Sequence, residues 1–156
     1  MKTSLQSEFE RLVGEHEATI YSVCYMFAET KPEADDLFQD VLIRLWQGFE
    51  SFKKESSTRT WVYRVSLNTC ISAKRKKRLR AEPLDISPEI FDESGSEGRQ
   101  NAMLHDRISR LEKFDRAIVL LWLEDLPYEE IGAIVGISAK AVGTRLYRIK
   151  EKLKEL

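Results

Sequence analysis

One stretch near the middle of the chain dictates the architecture. Residues 82–99 contain Pro83, Pro88, Gly95 and Gly98, several serines, six acidic side chains and one basic one, a net charge of −5. Prolines remove backbone donors, glycines are costly to order, and like charges repel, so this segment reads as a linker. It divides the 156 residues into 1–81 and 100–156. Domains of roughly 60 residues bury only about 60% of their chain surface, so each piece must close around a small core. On both sides apolar residues recur at helical spacing, and no β-hairpin signal occurs. The expected fold is all-α: two small helical domains joined by a flexible linker.

The helices can be placed from periodicity. Leu5, Phe9, Leu12, Val13, His16, Ile20, Val23, Cys24 and Phe27 lie on one stripe of a first helix. Thr30-Lys31-Pro32 marks a new start, with Glu33, Asp35 and Asp36 suited to the positive end of the dipole. This second helix runs to about Phe49 and buries Ala34, Leu37, Phe38, Val41, Leu42 and Leu45. Its opposite, acidic face holds Asp36, Gln39, Asp40 and Gln47, together with one apolar residue, Ile43. After a loop carrying Phe52, Lys53 and Lys54, a third helix is expected from Thr58, as N-cap, to about Arg78. Its Val62, Val65, Ser66, Thr69, Cys70 and Ala73 share one face. A second stripe joins Trp61, Arg64, Asn68 and Arg75, a composition able to stack on bases and bond their edges.

Charge and cysteine usage narrow the function. Residues 1–81 carry a net +3 and residues 100–156 a net +1, so the overall −1 hides two basic stretches, Lys74–Arg80 and the C-terminal helix. Focused positive charge can engage a polyanion whatever the total. Cys24 and Cys70 read as core fillers, and with only His16 and His105 there is no zinc spacing, so no metal and no cofactor are expected. There is neither a nucleophile–base pair nor a phosphate-cradling loop, hence no catalytic residue. The longest apolar run, Ala117–Leu123, is far short of the ~20 residues of a membrane span. The early residues lack a secretory apolar block, so a cytoplasmic location without membrane insertion is expected.

The C-terminal piece carries the sharpest signal. Phe114 to Glu124 is a very apolar helix, and Pro127 to Ile134 a short one with Pro127 first and Glu129 and Glu130 in its first turn. Val135-Gly136-Ile137 is a tight turn, and Ser138 caps a following helix that buries Val142, Leu146, Ile149 and Leu153. Lys140, Thr144, Arg145, Tyr147, Arg148, Lys150 and Lys152 remain outside or at its flanks, and Ser138 with the first five of these is the candidate DNA-reading set. This is a helix-turn-helix, whose second helix enters the major groove of duplex DNA. Arginine there can read guanine with two bonds, and lysine can hold phosphate.

At this point the chain resembles a known family, the extracytoplasmic-function group of bacterial sigma factors within the sigma-70 family. The likeness rests on Ala34-Asp35-Asp36-Leu37-Phe38-Gln39-Asp40-Val41, Phe49-Glu50-Ser51-Phe52 and Thr60-Trp61-Val62-Tyr63-Arg64-Val65-Ser66-Leu67-Asn68, similar to region 2. Tyr128-Glu129-Glu130-Ile131-Gly132, Gly136-Ile137-Ser138 and Arg145-Leu146-Tyr147-Arg148 resemble region 4. The resemblance implies that residues 1–81 bind core RNA polymerase and the −10 element, and that 100–156 bind the −35 element. It places Asp36, Gln39, Asp40 and Ile43 against the β′ clamp helices. It assigns Phe52, Lys53, Trp61, Arg64, Asn68, Lys74, Arg75 and Lys77 to the melted −10 strand, where a flipped base is captured. The partners it implies are core polymerase, through the β′ clamp helices and β flap, promoter DNA, and an anti-sigma factor. One departure is Gly143, where the family usually has a basic or polar side chain. It costs about 1 kcal/mol of helix stability relative to alanine, and close backbone approach to DNA would be a reason for it. A stand-alone helix-turn-helix regulator is the alternative, but it has no need of the Asp36-Gln39-Asp40 face.

Overall fold

A computed structural model describes residues 3–52, 57–73 and 96–155. The described residues form α1 (Ser4–Phe27), α2 (Lys31–Phe49), α3 (Thr58–Ser72), α4 (Ser96–Ser109), α5 (Lys113–Leu123), α6 (Tyr128–Val135) and α7 (Ala139–Glu155), with no strand among them. The all-α expectation is met. α1, α2, α3 and α7 begin where side-chain oxygens cap them. Thr3 and Gln6 form a reciprocal capping box on α1. The Glu33 N–H donates to Thr30 Oγ1 at 3.2 Å, and Pro32 lies in the first turn of α2.

Four boundaries differ from the sequence expectation. Ser57, not Thr58, caps α3, accepting from the Thr60 N–H at 3.1 Å. Pro127 is not the first residue of α6 but its N-cap, with an extended ψ of 156°. The expected linker ends early, because α4 already includes Ser96–Arg99. α3 ends at Ser72, short of the expected Arg78, because Ala73 is its extended C-cap with a ψ of 125°. Residues 74–95, most of the expected linker among them, lie outside the described residues.

The helices of the N-terminal half pack around Ile20, Val23, Cys24, Val41, Leu45 and Val62, all essentially inaccessible. α3 is polar for a core helix, yet its Ser66 and Thr69 are buried. Their hydroxyls donate back to the Val62 and Val65 carbonyls at 2.7 and 2.6 Å, which removes the penalty for burying them. The C-terminal half closes around Ile108, Ile118, Leu121, Ile131, Leu146 and Ile149. Buried residues run on from one half into the other, so the two expected domains share a seam and one continuous core.

Candidate nucleic-acid and polymerase surfaces

The turn between α6 and α7 is shaped by two glycines. Gly136 ends α6 with φ +86°, a left-handed conformation that costs a residue with a Cβ. Gly132 lies so close to the turn that a Cβ there would run into the Ile137 carbonyl oxygen. Ser138 then caps α7, accepting from the Ala141 N–H at 3.1 Å. α7 packs with Val142, Leu146 and Ile149 buried and leaves Lys140, Thr144, Tyr147 and Arg148 exposed, Tyr147 by 70%. These four fall at helical spacing along one outward stripe. A short helix, a sharp turn and a capped second helix with a polar outer face make the geometry of a helix-turn-helix.

Arg145 does not belong to that stripe in the same way. Its guanidinium donates to the buried Asp115 carboxylate at 2.7 Å and lies over the Phe114 ring, 4.6 Å from its centroid. A carboxylate buried at the start of α5 requires a cation, and Arg145 supplies it. Lys152 approaches the same carboxylate at 4.0 Å. Lys150 lies over Trp122, 4.2 Å from the ring. These contacts fix the roll of α7 on α5, so Arg145 positions the helix. Gly143, expected to invite close approach of DNA, has another neighbour: a Cβ there would sit 3.4 Å from the Tyr128 ring.

In the N-terminal half, Asp36, Gln39, Asp40 and Ile43 all project from the outer face of α2, Ile43 by 54%. Sequence reasoning missed Trp46, 41% exposed, which prolongs this stripe by one turn beyond Ile43. Its spacing, three residues after Ile43 and seven after Gln39, was the available signal. Trp46 meets Phe9 edge-on at 5.0 Å, and Phe9 meets Phe49 at 5.4 Å. Phe49 lies 6.4 Å from Trp61, and Phe52 stacks on Trp61 at 4.5 Å with the planes 11° apart. Trp61 is therefore a half-buried member of an aromatic ladder and holds Phe52 in place. Asn68 is exposed.

Arg64 is engaged elsewhere. Its Nε and Nη2 donate to the Ala133 carbonyl of α6 at 3.1 and 2.5 Å. Arg59, which sequence reasoning passed over, makes a two-bond pair with Glu130 at 2.9 and 2.6 Å. That pairing raises the Arg59 pKa further above its ordinary value. Lys53, Lys74, Arg75 and Lys77 lie outside the described residues. Cys24 and Cys70 are both buried, their sulfurs 4.0 Å apart. The shared hydrogen bond and burial hold the Cys24 thiol well above its usual pKa, so it stays protonated. Among the described residues, no group of three or more His, Cys, Asp or Glu could hold a metal, and no helix is long and apolar enough to cross a membrane.

A helix-turn-helix following a helical unit with an acidic outer face defines a transcription-initiation class of protein, and comparison with known proteins makes the class specific. Residues 12–80 match the model of sigma-70 region 2, and residues 101–153 match that of sigma-70 region 4. The RNA polymerase sigma factor CnrH of Cupriavidus metallidurans is 30% identical, over 97% of this chain and 87% of that protein. The ECF RNA polymerase sigma factor SigE of Mycolicibacterium smegmatis is 28% identical over 94% of this chain, which spans only 60% of that relative's length. Among solved structures, the sigma factor RpoE of Bartonella quintana, in complex with the anti-sigma factor NepR, superposes with a TM-score of 0.76. It is 22% identical and covers 95% of each chain. The chain belongs to the sigma-70 family of RNA polymerase sigma factors, in its extracytoplasmic-function group.

Proposed function

We propose that this chain gives core RNA polymerase its promoter choice and performs no chemistry of its own. The observation that carries the reading is the α2 face. Asp36, Gln39, Asp40, Ile43 and Trp46 form one exposed stripe that a DNA-binding regulator has no use for. Acidic groups there steer docking onto the β′ clamp helices, and the two apolar side chains supply affinity. Residues 1–81 act as the polymerase- and −10-binding domain and the helices from α4 onward as the −35-binding domain, joined through 82–95. The exposed stripe of α7, with Ser138 at its start, reads the −35 duplex, and Arg145 keeps that stripe in register.

For the −10 element, Phe52 and Asn68 face the melted strand while Trp61 backs Phe52. Lys53, Lys74, Arg75 and Lys77 supply phosphate contacts in this reading, as Arg64 does once it is released from α6. The protein acts in the cytoplasm, where the polymerase and the promoter are. It is held by an anti-sigma factor, as the relative of similar fold is held by NepR. Run-off transcription with purified core polymerase on a pool of promoter fragments tests the reading. Transcripts that start at one shared −35/−10 pattern are expected. Duplex binding without any polymerase-dependent transcript would instead make the chain a stand-alone regulator.

A further inference from the structure

The two arginines of α3 that reach α6 present their paired donors to it. Arg59 closes a fork on the Glu130 carboxylate, and Arg64 closes one on the Ala133 carbonyl. The same parallel N–H pairs are the groups that grip phosphate. They sit either side of Trp61, on the helix assigned above to the melted strand. Both arginines are exposed, the Arg59 side chain by 54%, while its Glu130 partner is 20% exposed. The open side of the pair is screened by salt, and a polyanion that offers the same two acceptors can compete for the arginine. The carbonyl held by Arg64 is in the last turn of α6, a negative helix end with no basic residue of its own.

We propose that Arg59 is a phosphate ligand for single-stranded DNA, and that Glu130 masks it in the free chain, as the Ala133 carbonyl masks Arg64. The contact between α3 and α6 is then a latch. The Glu130 carboxylate of the duplex-reading half occupies a cation of the strand-reading half until DNA competes it away. This rests on the assignment of α3 to the −10 strand.

The full chain and a short single-stranded oligothymidylate test it. Glu130→Gln keeps the shape of the side chain and removes the charge. It is expected to tighten oligothymidylate binding about two- to fivefold, the range an exposed pair provides, and to raise the radius of gyration at low salt. Adding Arg59→Ala should abolish the gain. Glu129→Gln removes the same charge from the neighbouring exposed position and should leave binding and size unchanged. Exchanging the charges, Arg59→Glu with Glu130→Arg, should restore the compact radius. Equal gains from Glu129→Gln and Glu130→Gln, no gain from Glu130→Gln, or binding of the oligonucleotide by none of the variants would each overturn the proposal. These readouts need no polymerase. A chain that passes them yet directs no transcript would overturn the proposed function and leave the latch standing.

Discussion

The two helices proposed to meet DNA are presented in opposite ways. α7 shows Lys140, Thr144, Tyr147 and Arg148 to solvent, and its roll is fixed from behind by Arg145 on Asp115 and Lys150 over Trp122. α3 has its guanidinium groups turned onto another helix of the same chain, with Arg64 on Ala133 and Arg59 on Glu130. The first surface is pre-organised, so binding a duplex incurs little ordering cost. The second has to be uncovered. In the proposed roles, the reader of duplex is ready before the encounter, whereas the reader of melted strand has first to release its contacts with α6.

The comparison breaks most sharply at Gly132. Any Cβ there meets backbone, which cannot swing aside as a side chain can. Gly132→Val should destabilise the helix-turn-helix by about 1–3 kcal/mol or more, as overpacking does. It should abolish −35 binding while binding to core polymerase through α2 persists. If −35 affinity were unchanged, the turn would not be what displays α7.

A smaller effect separates reading from positioning within α7. Arg148→Ala should lose about 1–3 kcal/mol of binding, relaxing specificity at one part of the −35 element. Arg145→Ala should instead lower thermal stability, and its effect should be non-additive with Asp115→Asn, as expected for side chains that share a bond. Competition binding to mutated −35 duplexes and melting curves tell the two apart. An Arg145→Ala variant that melts normally but misreads one base pair would restore Arg145 to the reading face.

What was legible in the sequence follows from the range of each cause. Helix faces are local, so the α2 stripe, the burial of Val142, Leu146 and Ile149, and the cap at Ser138 could all be read from spacing. Trp46 was readable by the same rule and was overlooked. Arg64 was correctly put on the stripe with Trp61 and Asn68, but periodicity says nothing about what covers a stripe. Its partner Ala133 is 69 residues away. The same blindness hid Arg59, a single arginine at a helix start whose meaning comes only from Glu130, and the demand of Asp115 for Arg145.

Other seam contacts follow a pattern that is physical but non-local. α1 and α3 have no basic residue in their last turns. The C-terminal half supplies one to each. Lys113 donates to the Ile71 carbonyl of α3 at 3.0 Å, and His105 bonds the Tyr25 carbonyl of α1 at 3.1 Å. Because a carbonyl only accepts, Nε2 of His105 carries the proton. Burial lowers the His105 pKa below its ordinary 6.5, with Arg116 adding to the effect and the Tyr25 and Ala28 carbonyls and Asp106 opposing it. A histidine lowered in this way stabilises the closed form above pH 6.5, and that contribution is lost as pH falls below it. The radius of gyration should therefore grow on going from neutral to mildly acidic buffer. His105→Gln keeps a donor without titrating and should flatten the response. An unchanged slope in that variant would move the sensitivity to another group.

The smallest effect belongs to Gly143, where the two halves of the comparison can be tuned. Replacing it by alanine removes the flexibility of a helical glycine, a gain of about 1 kcal/mol. The added methyl would stand 3.4 Å from the Tyr128 ring, an ordinary van der Waals contact that leaves the gain intact. Gly143→Ala should thus raise the melting temperature modestly and leave −35 binding near its original strength. Gly143→Lys adds a cation beside the exposed stripe of α7. It is expected to steepen the salt dependence of duplex binding by about one phosphate contact. If Gly143→Ala lowered −35 affinity while stabilising the fold, close approach of DNA to the backbone at this position would be the reason for the glycine, and the Tyr128 ring only its neighbour.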